Sequence, residues 1–133
     1  MEARAEERRL DSEALARRLA ELADSKQATD VIALDMRGLV GYTDFLILCT
    51  ARNERLAKAI HDEAYAVLKA EGLLPGRAEG VGESRWILLD YLDAVLHVFV
   101  PETRDRYRLD QLWGEAPRLE LRLDAGDTGA AAG

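Results

Sequence analysis

The chain has 133 residues, with 18 Lys+Arg against 25 Asp+Glu, a formal charge of −7 and a single cysteine. That length suits one domain, and 48% hydrophobic with 32% charged residues supports an ordinary core rather than wholesale disorder. One Cys and two His fall short of a Cys/His zinc site or a disulfide, and the acidic balance argues against a protein whose main task is to cover phosphates.

Met1 to Leu10 mixes Glu2, Glu6 and Glu7 with Arg4, Arg8 and Arg9 and sums to zero. Lacking the apolar stretch of a signal peptide and the acid-poor composition of a transit peptide, residues 1–10 read as a frayed, charged lead-in to a helix. No apolar run approaches the ~18–20 residues that span a bilayer. Together with the lone thiol this points to the cytoplasm. From Asp11 the pattern is helical: Leu15, Leu19 and Leu22 share one face with Ala16, Ala20 and Ala23 beside them, and Asp11 or Ser12 is positioned to cap. Val31–Leu34 reads as a strand buried on both faces, and Phe45–Cys49 as a second, with Gly38 and Gly41 marking the loop between them.

Asn53 opens the longest helix, whose apolar stripe is Leu56, Ile60, Ala64, Val67 and Leu68. Gly72 ends it as a left-handed cap, with Leu73 packing back and Pro75 forbidding continuation. Ala78–Val81 reads as a short edge strand. Trp86–Tyr91 and Ala94–Val100 form a tight antiparallel hairpin across Leu92-Asp93, although those turn residues are poor ones for positive φ. Glu102–Trp113 is one helix or two short helical turns. Residues 119–133 are expected to be a disordered tail, leaving 11–118 as the single domain. Glu120, Asp124 and Asp127 against Arg122 give that tail −2, so −5 of the −7 stays with the domain. The order α-β-β-α-β-β-β-α specifies an α/β domain, a mixed sheet of about five strands with helices packed on its faces.

Few residues suggest chemistry. Asp35, Asp44, Asp90 and Asp93 fall at strand ends, but nothing in their spacing converges them on a pair of ions, and Asp90 and Asp93 suit turn roles. His97 has no evident nucleophile partner and reads as a hydrogen-bonded sheet residue or one facing a partner. Cys49 reads as an inert core thiol. The Gly38–Asp44 loop lacks the Lys-Ser/Thr ending of a phosphate loop and the spaced glycines of a dinucleotide fold. Aromatic placement is more informative. Strand alternation sets Trp86, Leu88 and Asp90 on one face and Ile87, Leu89 and Tyr91 on the other. Trp and Tyr dominate interface energetics, so Trp86 is balanced between core and interface, whereas Trp113, four after Leu109, suits a buried helix face.

The run Asp35-Met36-Arg37-Gly38-Leu39-Val40-Gly41-Tyr42-Thr43-Asp44 resembles a D-x-R-G-x-x-x-Y-T-D segment. Gly80, Trp86-Ile87-Leu88-Leu89-Asp90-Tyr91, Asp93, His97-Val98-Phe99 and Tyr107-x-Leu109-x-x-Leu112-Trp113 continue it in order. The chain thereby resembles the ribosomal silencing factor (RsfS, Iojap-like) family over roughly residues 12–117. The resemblance implies a nucleotidyltransferase-like fold without enzymatic activity or cofactor. It also implies binding to a basic protein on the intersubunit face of the large ribosomal subunit, which blocks subunit joining and represses translation. The Gly-Ser pair and Asp-x-Asp that nucleotidyltransferases use are missing, so the fold does not license an enzyme. Family members commonly carry Gly where this chain has Leu92, which predicts a changed or bulged hairpin tip.

Matched on residue type, Trp86, Leu88, Asp90 and Tyr91 are the leading partner-binding candidates, with Tyr107, Leu109 and Trp113 behind them. No catalytic, cofactor or metal residue is expected, direct RNA contact should be slight, and an exposed aromatic patch allows a homodimer when the partner is absent. Two rivals stand beside this reading. One is a metal-dependent nucleotidyltransferase-like enzyme using Asp35, Asp44 or Asp90; the other is an RNA-binding module with aromatic stacking.

Overall fold

The computed structural model describes residues 2–39 and 41–123, with side chains from Ser12 onward. Helix α1 (Glu2–Ser25) begins well before the expected capping residues. Glu2–Arg9 holds only Ala, Glu and Arg, all good helix formers, so the lead-in is helix and Ser12 is buried within it rather than capping it. The α1 stripe is as the periodicity specifies: Ala16, Leu19, Ala20, Leu22 and Ala23 are buried.

Strand β1 (Thr29–Asp35) buries only Ala33 and Leu34, and its first half, next to a register shift between Thr29 and Ile32, is more open than expected. Strand β2 (Phe45–Thr50) is buried throughout. Helix α2 (Glu54–Ala70) is capped as read, the Asn53 side chain accepting from the Leu56 N–H at 2.8 Å. Gly72, at φ 90°, ends it while the Leu73 N–H reaches back to the Leu68 carbonyl at 2.8 Å. There follow β3 (Arg77–Glu79), β4 (Trp86–Asp90), β5 (Ala94–Phe99), α3 (Pro101–Tyr107) and α4 (Leu109–Leu112). Arg108, at φ 46°, breaks the last two apart.

The five strands form one mixed sheet in the order β1-β2-β5-β4-β3. The central pair, β2 and β5, is parallel, from Phe45↔Ala94 to Thr50↔Phe99. All other neighbours are antiparallel. The β4–β5 register is unbroken from Trp86↔Phe99 to Asp90↔Val95, so the bulge expected from Leu92 is absent. Leu92 instead takes the positive φ itself, 75°. Local bonds hold it there. Its N–H donates to Asp90 Oδ1 at 2.8 Å, and the Asp93 N–H donates to the Tyr91 carbonyl at 2.9 Å. The Asp93 carbonyl in turn accepts from the Asp44 and Phe45 N–H groups at 3.1 and 3.2 Å, tying the tip to the start of β2.

Each sheet face has its own core. Ile87, Leu89 and Tyr91 join Phe45, Ile47, Cys49, Leu96 and Val98 beneath α1 and α2. On the opposite face lie Leu34, Met36, Leu46, Leu48, Val95, Phe99 and Ala116, with Trp86, Leu88, Leu109 and Trp113 partly buried against them.

The expected boundary at residue 118 lies too early. The Asp35 N–H donates to the Pro117 carbonyl at 2.7 Å, and the Leu119 N–H to the Ala33 carbonyl at 2.9 Å. Arg17 Nη1 holds the Glu120 carbonyl at 2.6 Å. Leu119, Leu121 and Leu123 pack against the α1/α2 core, because Leu119-Glu120-Leu121-Arg122-Leu123 alternates as a strand does. The rest of the expected tail, residues 124–133, lies outside the described residues. A chain ending at Arg118 should be destabilised by roughly 2–4 kcal/mol relative to one ending at Leu123, for three half-buried leucines. Urea unfolding with an unchanged slope and a lowered midpoint is the expected record.

Candidate functional site

The sheet face away from α1 and α2 carries the aromatic residues of the second core. Trp86 is its hinge. Its indole Nε1–H donates to His97 Nδ1 at 2.9 Å, on the neighbouring strand. Its ring centroid lies 5.1 Å from Phe99 and 4.8 Å from Tyr107, in tilted arrangements. His97 stacks on Phe99 at 5.9 Å with 9° between planes. Such offset and tilted contacts are favourable beyond the area they bury. Tyr107, 50% exposed, is the outermost ring of the group.

His97 is the residue whose role the sequence left open. Burial pushes its imidazole down to about 4, the Asp90 charge acting the other way. The ring is therefore neutral near pH 7, accepting at Nδ1 and carrying its proton on Nε2. A histidine depressed on folding gives stability that is complete above its unfolded value of about 6.5 and is lost as pH falls through about 4.

The structure divides the seven candidates. Trp86, Leu88 and Asp90 share the open face and are half-buried, and Tyr107, Leu109 and Trp113 adjoin it from α3, α4 and the residue after them. Tyr91 does not belong with them. Strand alternation turns it into the α1/α2 core at 5% exposure, where its hydroxyl has no hydrogen-bond partner among the described residues and burial pushes it up to about 12. Asp90 faces outward, but one carboxylate oxygen holds the Leu92 N–H and the other lies 3.8 Å from Arg77.

Two residues set the geometry: Gly80, which the family resemblance includes without a reason, and Arg104, which carries no sequence signal. Gly80, at φ 79°, lies so close to β4 that a Cβ there would sit 1.9 Å from the Trp86 carbonyl oxygen. The β3–β4 turn thus uses glycine to bring Trp86 into register, closed by the Ser84 N–H donating to the Gly80 carbonyl at 2.8 Å. Arg104 anchors α3. Its guanidinium meets both Asp110 oxygens, at 3.3 and 2.7 Å, the Asp30 carbonyl at 2.7 Å and Thr50 Oγ1 at 2.8 Å. This locks α3 to α4 and to the β1 and β2 ends, and so holds Tyr107, Leu109 and Trp113 in place.

The acidic strand ends have structural work. Arg37 forks onto both Asp35 oxygens at 2.9 and 2.7 Å, holding that carboxyl below its ordinary range, and lays its guanidinium 5.0 Å from the Phe45 ring centroid. The Met36 N–H donates to the Asp44 carbonyl at 2.8 Å, which closes the same loop. The D-x-R-G-x-x-x-Y-T-D segment therefore reads as a wired turn joined to the hairpin tip. Among the described residues no group of three or more His, Cys, Asp and Glu is arranged to hold a metal. Nor is any helix there long and apolar enough to cross a membrane.

Two measurements check this geometry. Gly80→Ala should cost several kcal/mol, on the order of the largest single-site effects, and should broaden the near-UV dichroism of Trp86. The wild type should lose about 2–3 kcal/mol of stability between pH 7 and 4.5 that His97→Gln does not lose, seen as converging denaturant midpoints.

Comparison with known proteins bears on the same segments. The family described as "Ribosomal silencing factor during starvation" matches residues 9–132. A ribosomal silencing factor RsfS of Halalkalibacterium halodurans is 40% identical over 98 residues, covering 74% of this chain and 84% of that protein. The Bacillus subtilis RsfS is 37% identical over 98 residues, 74% of this chain and 83% of that one. A crystal structure of a Bacillus halodurans protein, 37% identical, superposes with a TM-score of 0.69 over 78% of this chain and 95% of its own. With nearly the whole chain matched and two relatives well above 30% identity, the chain belongs to the ribosomal silencing factor (RsfS) family.

Proposed function

We propose that this domain silences translation sterically. It docks through the face bearing Trp86, Leu88 and Tyr107 onto a basic protein on the intersubunit side of the large ribosomal subunit, and occupies space that the small subunit needs. The observation that carries this reading is the fixed, half-exposed aromatic group: Trp86 bonded to His97 and flanked by Phe99 and Tyr107. Rigid Trp and Tyr at a surface are the side chains that concentrate binding energy. The charge of −7 favours a basic protein over ribosomal RNA and raises the on-rate more than the final affinity. Leu109 and Trp113 support the face from behind, and Asp90 sets the turn beside it. On this reading the domain works in the cytoplasm without a cofactor, and a second copy can cover the same aromatic patch when the partner is absent. We read the mixed sheet as a nucleotidyltransferase-like layout put to binding rather than to transfer chemistry.

Trp86→Ala is a poor test, because it strips His97 Nδ1 of its donor as well as removing contact area. Leu88→Arg and Tyr107→Ala change the open side of the face. Each should lower co-sedimentation with isolated large subunits by roughly tenfold or more and restore subunit joining, with the melting temperature within a few degrees of wild type. A folded double variant that co-sediments like wild type would remove this face from the docking site.

A further inference from the structure

The open sheet face holds a polar ring that is almost wholly buried. His97 is 7% exposed and stands across from Leu88 in the β4–β5 register, with Trp86 and Phe99 against its ring. Its two nitrogens have different surroundings. Nδ1 receives the Trp86 indole N–H at 2.9 Å. An indole nitrogen can only donate, so Nδ1 is unprotonated and the neutral ring carries its one proton on Nε2. The tautomer is therefore set by the neighbouring strand.

The Nε2–H group has no hydrogen-bond partner among the described residues. Nor is it sealed. Among those residues, the side-chain nitrogen or oxygen that is closed off from solvent without a partner is the Tyr91 hydroxyl, beneath the other face. His97 Nε2–H therefore keeps a contact with solvent. The two nitrogens diverge across the five-membered ring, so an Nδ1 turned to the indole turns Nε2–H away from it. The side chains gathered on this face are otherwise mostly apolar, Leu88, Phe99, Leu109 and Trp113 among them, and the Trp86 N–H is already used on His97.

A fixed donor amid apolar side chains discriminates between partners. Apolar surface laid over it strands the N–H without water or an acceptor, and a cation brings only further donors. A site built around a hydrogen-bonding group rejects a partner lacking the matching group more strongly than a merely apolar site does. A carboxylate would be repelled by Asp90 on the same strand face and by the charge of −7. An uncharged oxygen meets all of these conditions.

We propose that His97 Nε2–H is the hydrogen-bond donor by which this face selects its partner, and that it takes an uncharged carbonyl oxygen of the partner protein. The proposal rests on the docking reading above and adds a specificity-determining residue to it.

The test separates the two nitrogens. His97→4-thiazolylalanine keeps a ring nitrogen at the Nδ1 position and puts sulfur at the Nε2 position, so the bond from Trp86 is retained and the second donor is lost. The full chain carrying it should keep the wild-type melting temperature and the wild-type Trp86 indole N–H signal in 15N spectra. It should nevertheless co-sediment with isolated large ribosomal subunits roughly tenfold more weakly. If wild type binds and the folded variant binds equally or more tightly, the donor is overturned and the docking reading stands. A wild type that does not co-sediment overturns docking and the donor with it. Should the thiazole chain fail to fold, His97→Gln and His97→Met decide. Gln offers both an acceptor and a donor and should bind within about threefold of wild type, whereas Met, lacking the donor, should bind roughly tenfold more weakly. Folded Gln and Met variants that bind alike overturn the donor.

Discussion

The parallel pairing of β2 with β5 is the constraint on which the rest of this structure depends. All the residues of both strands are buried, so both faces of the sheet centre must be covered. Parallel neighbours also cannot be joined by a hairpin, and the chain between them, α2, β3 and β4, has to cross over and return. Helices α1 and α2 cover one face with a broad apolar surface. The other face is covered by less: Met36, Ala116, Trp113 and the short α3–α4 unit held by Arg104. Over β4 that cover runs out, which is why Trp86 and Leu88 are half-buried while Ile87 and Leu89, one residue along, are wholly buried.

A thin cover could leave loose aromatic side chains, but here the rings are fixed. The bond from Trp86 to His97 needs an unprotonated Nδ1, and burial supplies it by keeping the imidazole neutral near pH 7. Gly80 fixes the strand that carries Trp86, and Arg104 fixes the helix that carries Tyr107. Side chains ordered before a partner arrives lose less entropy on binding, so an interface built on them converts more of its contact area into affinity. The same logic explains the hairpin tip. Leu92 is held at an unfavourable φ by bonds from Asp90 and through Asp93, which keeps β4 and β5 in register beneath Trp86.

Much of this was legible in the residues. The Phe45–Cys49 run, the Asn53 cap, the Gly72 stop and the alternation that separates Trp86 from Ile87 each follow from local rules and are observed. Alternation also predicts that Tyr91 turns away from Trp86, and Tyr91 is buried in the α1/α2 core. The register of residues 119–123 was present as leucine alternation but was masked by the Gly/Ala-rich composition just beyond it. Other features were not legible, because they are tertiary. Nothing local says that His97 accepts from Trp86, that Arg104 reaches Asp30 and Thr50 across the fold, or that Gly80 abuts the Trp86 carbonyl.

The negative charge also sorts by place. Asp35 is spent on Arg37 and Asp110 on Arg104, while Asp90 holds a turn, so these carboxylates stabilise loops and helix junctions. Glu54 and Glu102 stand in the first turns of α2 and α3, where a carboxylate suits the helix N-terminus, and with Glu83, Arg85 and Arg106 they lie beside the aromatic face. On the proposed reading, a chain of net charge −7 is repelled by a surface of phosphates and drawn to a basic protein. Discrimination is a difference between two affinities, and repulsion from the wrong surface contributes to it as much as attraction to the right one. The acidic balance that argued against a phosphate-coating protein is thus compatible with work on an RNA-rich particle, provided contact is made through protein.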